Sequence, residues 1–139
     1  QLIIQKRFRG YNIGLRIGKH VVVRTETPNP GFEFIETGMN RLEKEGLEAM
    51  RTSYDDYYFT LDGQRHAVSV EEAFIHALFL STMEQHQDFP VLAIFLKKQG
   101  RKLDFVVLRK YAEKYRVSQE LREMQKSLDL AEKLREYNE

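Results

Sequence analysis

The sequence contains no cysteine and no long apolar run, and both absences limit what the chain can be. Without cysteine among its 139 residues, it has no disulfide, no thiolate zinc site and no cysteine nucleophile. No stretch approaches the roughly 18 consecutive apolar residues of a membrane-spanning helix, and no charged-then-apolar leader opens the chain. We therefore expect a cytoplasmic protein that has no membrane partner.

Recognisable catalytic patterns are also missing. The serines lie in no nucleophile-elbow context, which leaves Ser-His-Asp hydrolysis without support. None of the four histidines belongs to a recognised metal-ligand motif. His76 lies inside an apolar helix, where we expect a buried imidazole bonded to a neighbouring group. We predict no catalytic residue, no metal site and no cofactor.

Asp55 and Asp56 are the candidates for an enzymatic alternative. Adjacent residues of a strand point to opposite faces, so this pair does not share one metal ion without a bulge. The sequence shows neither an Asp-x-Asp pair nor a Gly-Ser loop of the kind used in nucleotidyl transfer. A nucleotidyltransferase-like or nuclease-like metal-dependent enzyme, possibly degenerate, therefore stays an alternative.

The stretch Val68–Met83 predicts the most apolar helix of the chain. Ser69 is placed to cap its first turn, and Glu72, three residues on, is placed to bond back to the Ser69 amide. Apolar residues cover more than one stripe of this helix, so we expect it to be buried on most sides. The rest of a domain core should pack around it.

The first third of the chain predicts strands. Leu2 to Phe8 reads as a first strand, and Tyr11–Ile17 alternates apolar with polar or small residues. After a Gly18-Lys19 turn, the β-branched His20–Thr25 should pair antiparallel with it. Phe32–Ile35 is a candidate edge strand.

The middle of the chain predicts a short helix and a hairpin. Met39–Arg51 reads as a surface helix interrupted near Gly46. Tyr54–Leu61 and Arg65–Val68 flank Asp62-Gly63, a turn typical of β-hairpins.

Helices fill the last third. Asp88 and Asp104 are candidate N-caps, Gly100 should end the helix between them, and Ser118 opens an amphipathic final helix. With strands first and helices afterwards, we predict an α+β fold, with an N-terminal antiparallel β-sheet and a C-terminal cluster of about four helices. Residues 1–139 should form a single domain. Because the chain opens at Gln1 on an apolar run, we expect it to be excised from a longer chain with a missing N-terminal domain.

Charge is uneven although the net charge is only +1. Residues 33–72 contain ten acidic and four basic side chains, whereas residues 1–25 contain six basic and none acidic. The imbalance fits either a basic face for an anionic partner or two parts that neutralise each other within one fold. Our candidate nucleic-acid-binding residues are the six basic ones: Lys6, Arg7, Arg9, Arg16, Lys19 and Arg24.

Aromatic residues suggest two further binding hypotheses. Phe8 and Tyr11 lie among the basic residues, where exposed rings could stack on unpaired bases; both could equally belong to the core. Tyr54, Tyr57 and Tyr58 form either a protein-binding patch or ordinary cross-strand packing. A domain that binds a protein partner or self-associates, through these tyrosines or the final helix, is therefore another alternative.

One family resemblance gives a sharper hypothesis. The string His66–Leu78, then Asp104–Arg109 and Tyr111–Tyr115, resembles the C-terminal part of AbiEi-type antitoxins and their archaeal winged-helix relatives. Those proteins join an N-terminal winged helix-turn-helix to a C-terminal domain, repress their operon and oppose a nucleotidyltransferase toxin. The resemblance covers about half of the chain and implies a non-enzymatic regulatory domain of a DNA-associated transcriptional regulator or antitoxin.

Overall fold

The computed structural model describes residues 12–26, 33–46, 54–64, 66–85 and 87–138. The predicted first strand, together with Phe8 and Tyr11, lies outside these ranges. The α+β prediction is confirmed, because an antiparallel sheet precedes four helices that follow its last strand. The described elements are β1 (Asn12–Ile17), β2 (His20–Thr25), β3 (Ile35–Glu36), α1 (Gly38–Glu43), β4 (Asp55–Thr60), α2 (Val70–Ser81), α3 (Phe89–Gln99), α4 (Phe105–Lys114) and α5 (Ser118–Asn138), with 3₁₀ turns at Thr82–Glu84 and Gly100–Lys102.

The four strands form one antiparallel sheet in the order β1-β2-β4-β3. β1 and β2 pair along their whole length, as predicted, from Asn12 opposite Thr25 to Ile17 opposite His20. Gly18 makes the tight turn between them at φ +59°, a left-handed conformation that glycine adopts without strain. The same register continues from β2 to β4 and sets which side chains face each other in the sheet.

The predicted hairpin after β4 is wrong in its second arm, Arg65–Val68, because residues 66–68 form no strand, while Arg65 lies outside the described residues. The turn itself is present, with the Gly63 amide donating to the Thr60 carbonyl at 3.1 Å. β4 already has β2 on one side and β3 on the other, with Ile35 opposite Tyr58. With both edges of β4 paired, the chain continues directly into α2.

The two faces of the sheet carry separate hydrophobic clusters. Leu15, Val22 and Tyr58 face α2 and belong to the main core. Val21, Val23, Phe34 and Tyr57 form a smaller buried cluster. Tyr57 and Tyr58 thus point to opposite faces and are both buried, so the packing interpretation of these two tyrosines is confirmed.

α2 is the central helix of the core, and all of its residues from Glu72 to Ser81 are buried. The Ser69 side chain accepts from the Glu72 amide at 3.1 Å, as predicted. The expected return bond from the Glu72 carboxylate is replaced, because that carboxylate points towards His66 and His76. A side chain predicted to cap a helix is thus part of the interior.

The remaining helices pack around α2 and extend beyond it. Asp104 caps α4 by accepting from the amides of Val106 and Val107. α5 packs through Leu121 and Met124, whereas its residues 129–136 are all exposed. α1 ends before Gly46, which has φ +98°.

None of the described helices combines the length and apolar composition needed to cross a membrane.

Candidate functional site

The six predicted nucleic-acid-binding residues divide into three groups. Arg16 is exposed, and its Nε donates to the Gly18 carbonyl at 2.7 Å. Lys19 is exposed and pairs with Asp62 at 2.9 Å. Arg24 is only 5% exposed, so the prediction that it contacts nucleic acid fails. The strand alternation that puts Val22 towards α2 puts Arg24 there too. Lys6, Arg7 and Arg9 lie outside the described residues.

Arg24 is the centre of a buried ionic cluster. Its Nε and Nη2 donate to the two oxygens of Asp56 at 2.7 and 2.9 Å, a bidentate geometry. Its Nη1 donates to Glu84 and, at 2.6 Å, to Asp88. Arg24 and Asp56 are direct cross-strand partners, while the other two acids come from the segment between α2 and α3. We call Arg24, Asp56, Glu84 and Asp88 the Arg24 cluster.

Asp56 is fixed from several directions. One carboxylate oxygen, Oδ2, also accepts from the Met39 amide at 2.9 Å, and the Asp56 amide donates to the Asn40 side chain at 2.9 Å. Gly38, at φ +54°, permits this approach, since a Cβ there would lie 2.4 Å from Oδ2. Burial raises the pKa of Asp56, and the Arg24 guanidinium and the Met39 amide oppose that rise.

The same burial determines the protonation state of Arg24. Desolvation disfavours its charge, but the Asp56 and Asp88 carboxylates more than compensate, and the pKa of Arg24 is raised. The guanidinium is therefore charged at every working pH. Asp56 is bound to it and turned inward, so it is not positioned to bind a divalent ion as the enzymatic alternative requires. Among the residues that the structure describes, no three His, Asp or Glu side chains form a possible metal site.

A second polar cluster lies at the other end of β2 and β4, on the same face of the sheet. His20 Nδ1 and the Tyr58 hydroxyl are 2.7 Å apart. The Tyr58 ring also stacks on His76 at 5.0 Å and meets His66 edge-on at 5.2 Å. We call the following residues the histidine cluster: His20, Tyr58, His66, Glu72, His76 and Tyr115.

Glu72 connects two of these histidines. Its Oε1 lies 3.4 Å from His66 Nε2, and its Oε2 lies 3.6 Å from His76 Nε2, beyond hydrogen-bond distance. His76 Nδ1 and the Thr37 hydroxyl are 2.7 Å apart, which confirms the predicted buried and bonded histidine. His66 is about half exposed, whereas His76 is fully buried. The row of groups from His66 to Thr37 thus runs from solvent into the core.

Three buried polar atoms of this cluster have no hydrogen-bond partner within the described part of the chain: Glu72 Oε2, His76 Nε2 and the Tyr115 hydroxyl. They are close together, since the His76 and Tyr115 rings are 4.6 Å apart. Buried polar groups are normally paired, and an unpaired one costs about 1–3 kcal/mol. By contrast, the Arg24 cluster has no unpaired buried polar side-chain atom among the described residues.

Burial perturbs the titration of each group around these atoms. It raises the pKa of Glu72, which the His66 imidazole opposes. It lowers the pKa of His76 well below 6.5, and the nearby Lys114 ammonium acts in the same direction. Burial and the Glu72 charge raise the pKa of Tyr115. Burial thus favours the neutral forms of Glu72, His76 and Tyr115.

A strongly basic, exposed region within the described residues was not among the predicted sites. The 20 residues 97–116 contain eight basic and two acidic side chains. A count of charged residues along the sequence is enough to find this region, which lies outside the contrasting segments 1–25 and 33–72. We call the eight exposed basic residues the cationic surface: Lys97, Lys98, Arg101, Lys102, Arg109, Lys110, Lys114 and Arg116.

Eight basic and two acidic side chains give this segment a net charge of +6. Asp104 Oδ1 is bound to two backbone amides of α4, which leaves Glu113 as the other acid of the segment. Because the whole chain carries only +1, the chain outside this segment is net negative. The positive charge of this segment lies on the end of α3, the Gly100–Lys102 turn, α4 and Arg116, and residues 1–25 also carry six basic side chains.

No protein-family model, curated protein or solved structure matches the chain significantly.

Proposed function

We propose that this chain is a non-enzymatic nucleic-acid-binding domain, part of a DNA-associated transcriptional regulator or antitoxin, and that it holds phosphates through the cationic surface. The observation that supports this proposal is the concentration of eight exposed basic side chains in 20 residues, against two acids. Such a surface attracts a polyanion and releases its condensed counterions on binding.

The geometry favours this surface over the N-terminal strands. Of the three described candidates there, Arg24 is buried, Lys19 is paired with Asp62, and Arg16 is bonded to the turn. By contrast, Arg109, Lys110 and Lys114 lie within two turns of α4, a rigid element anchored in the core by Leu108 and Ala112. Cations fixed on a helix can contact successive phosphates without an additional ordering cost.

The test is fluorescence anisotropy of a labelled DNA duplex at increasing salt. We expect log K to fall linearly with log salt, by about 0.9 for each neutralised phosphate. Reversing the charge of Lys102 and Lys110 together should weaken binding and reduce the slope by about two. The matched comparison is the double variant Arg16→Glu, Lys19→Glu, which should bind like the unaltered chain.

Two outcomes would count against the proposal. Absence of binding at low salt would refute a nucleic-acid-binding role for this domain. The other is that the double variant Arg16→Glu, Lys19→Glu abolishes binding while the charge reversal of Lys102 and Lys110 leaves it intact. That result would place the phosphate-binding surface on the N-terminal strands.

A protein-binding function is a second candidate, supported by one specific feature of α5. Leu130 and Leu134 are 59% and 54% exposed, one helical turn apart, on a segment whose residues 129–136 are all exposed. Light scattering tests whether the chain self-associates through this face, by comparing the mass of the unaltered chain with that of the double variant Leu130→Lys, Leu134→Lys. A monomer at all concentrations would exclude self-association through this face.

A further inference from the structure

A groove lies beside the cationic surface, between the end of α3, the start of α4 and the middle of α5. Its volume is about 390 Å³. Leu96, Phe105 and Leu128 give it an apolar wall that includes one aromatic ring. The polar side chains around it all come from α5: Arg122, Gln125, Lys126 and Asp129.

The groove is continuous with the cationic surface on two sides. Phe105 follows Arg101 and Lys102 closely in the chain, and its ring would be 3.8 Å from a Cβ added at Gly100. A second groove of about 220 Å³ also borders Arg122 and Gln125 and reaches Arg109 on α4. An aromatic wall is therefore flanked by cations on both α4 and α5.

We propose that this groove receives an unpaired base, so that the substrate class of the domain is single-stranded nucleic acid. This inference rests on the proposed function, because the cationic surface supplies the phosphate contacts. Every base has a π-face that can stack on an aromatic ring, while Arg122 and Lys126 match the charge of the flanking phosphates. The Gln125 amide and the Asp129 carboxylate can bond to a base edge. A base in a duplex is stacked between its neighbours and does not present this face.

The proposal is tested by anisotropy with a short labelled single strand, a duplex of the same length, and the same strand with one abasic position. The unaltered chain should bind the single strand about tenfold more tightly than the duplex, which is within the range of one base–aromatic stack. Phe105→Leu keeps an apolar wall but removes the aromatic ring. It should reduce single-strand affinity about tenfold and leave duplex affinity unchanged.

Gln125→Ala provides a second variant that does not depend on core packing, and it should weaken single-strand binding alone. Ser127→Ala, at an exposed position of the same helix, is the matched control and should bind normally. Circular dichroism verifies that each variant is folded.

The outcomes separate this inference from the function on which it rests. Equal affinity for single strand and duplex, with no effect of Phe105→Leu, would overturn the groove proposal and leave the phosphate-binding surface in place. Binding of neither nucleic acid would overturn both. A single-strand preference that disappears in Phe105→Leu and with the abasic strand supports the groove as the base site.

Discussion

The Arg24 cluster and the histidine cluster occupy the two ends of the same strand pair, on the same face of the sheet. Arg24 lies opposite Asp56 in the register, and His20 lies opposite Thr60, four residues away along each strand. The first cluster places one guanidinium against three carboxylates through short hydrogen bonds. The second leaves three buried polar atoms unpaired within the described residues. The two clusters are therefore stabilised differently, because paired charges hold the first while burial favours the neutral forms of Glu72 and His76 in the second.

Among substitutions in the two clusters, Arg24→Met should cause the largest loss of folding stability. It leaves the buried Asp56 and the nearly buried Glu84 and Asp88 without their common partner, and breaking a buried pair costs about 3–5 kcal/mol. Urea unfolding measures the loss as a lower midpoint. Lys19→Met, which removes an exposed ion pair with Asp62, is the control and should change the midpoint very little. Equal midpoints for the two variants would show that the Arg24 cluster does not stabilise the fold.

Gly38→Ala should cause the next largest loss of folding stability, because it combines backbone strain with a steric clash against Asp56. Gly18 and Gly38 have nearly the same dihedral, φ +59° and +54°, but only Gly38 has atoms of Asp56 within 4 Å. Gly18→Ala therefore measures the strain alone, about 1–2 kcal/mol. Gly38→Ala should lose at least about 3 kcal/mol by the same measurement, since Asp56 must also move away from Arg24. Similar losses in both variants would mean that Asp56 accommodates the methyl group freely.

One carboxylate-to-amide change in each cluster makes the comparison sharper. Asp56→Asn removes the charge bound to Arg24 and should destabilise the protein by about 1.5–3 kcal/mol at neutral pH. Glu72→Gln replaces a carboxyl group whose charged form burial already disfavours, and its amide can donate to His76 Nε2, so the change should be within about 1 kcal/mol. Equal destabilisation of the two variants, by urea unfolding, would contradict the distinction between the clusters.

The features that the sequence predicted correctly are those determined by residues close together in the chain. The Ser69 and Asp104 caps and the Gly18 turn depend on residues at most three positions apart, and all three are present in the structure. The predicted hairpin arm Arg65–Val68 could not be judged from its local sequence, because the edges of β4 are taken by strands that precede it. A local turn signal does not show whether an edge is free.

The clusters depend on contacts between distant parts of the chain, which local patterns do not contain. Arg24 meets Glu84 and Asp88 across 60 and 64 positions. Asp88 occupies the N-cap position of α3, as predicted, but its carboxylate is bonded to Arg24 and makes no capping hydrogen bond. Glu72 likewise turns from an expected cap bond to two histidines. The cationic surface is different, because its composition is readable from the sequence and only its exposure required the structure.

The pH dependence of stability should separate the two titrating groups of the histidine cluster. The folded-state pKa of His76 lies below 6.5, so its contribution is complete above pH 6.5 and is lost as the pH falls. The folded-state pKa of Glu72 lies above 4.5, so its contribution is complete below pH 4.5 and is lost as the pH rises. Between these two values acidification therefore weakens the fold through His76 and strengthens it through Glu72.

Glu72→Gln should remove the second effect and make the variant lose stability more steeply on acidification than the unaltered chain. The difference in slope is at most about 1.4 kcal/mol per pH unit, the limit for one proton. His76→Gln should change the slope in the opposite direction. Urea midpoints of the three proteins, measured across the window from pH 6.5 to 4.5, give both slopes. Parallel curves for all three would show that neither buried group changes its protonation on unfolding.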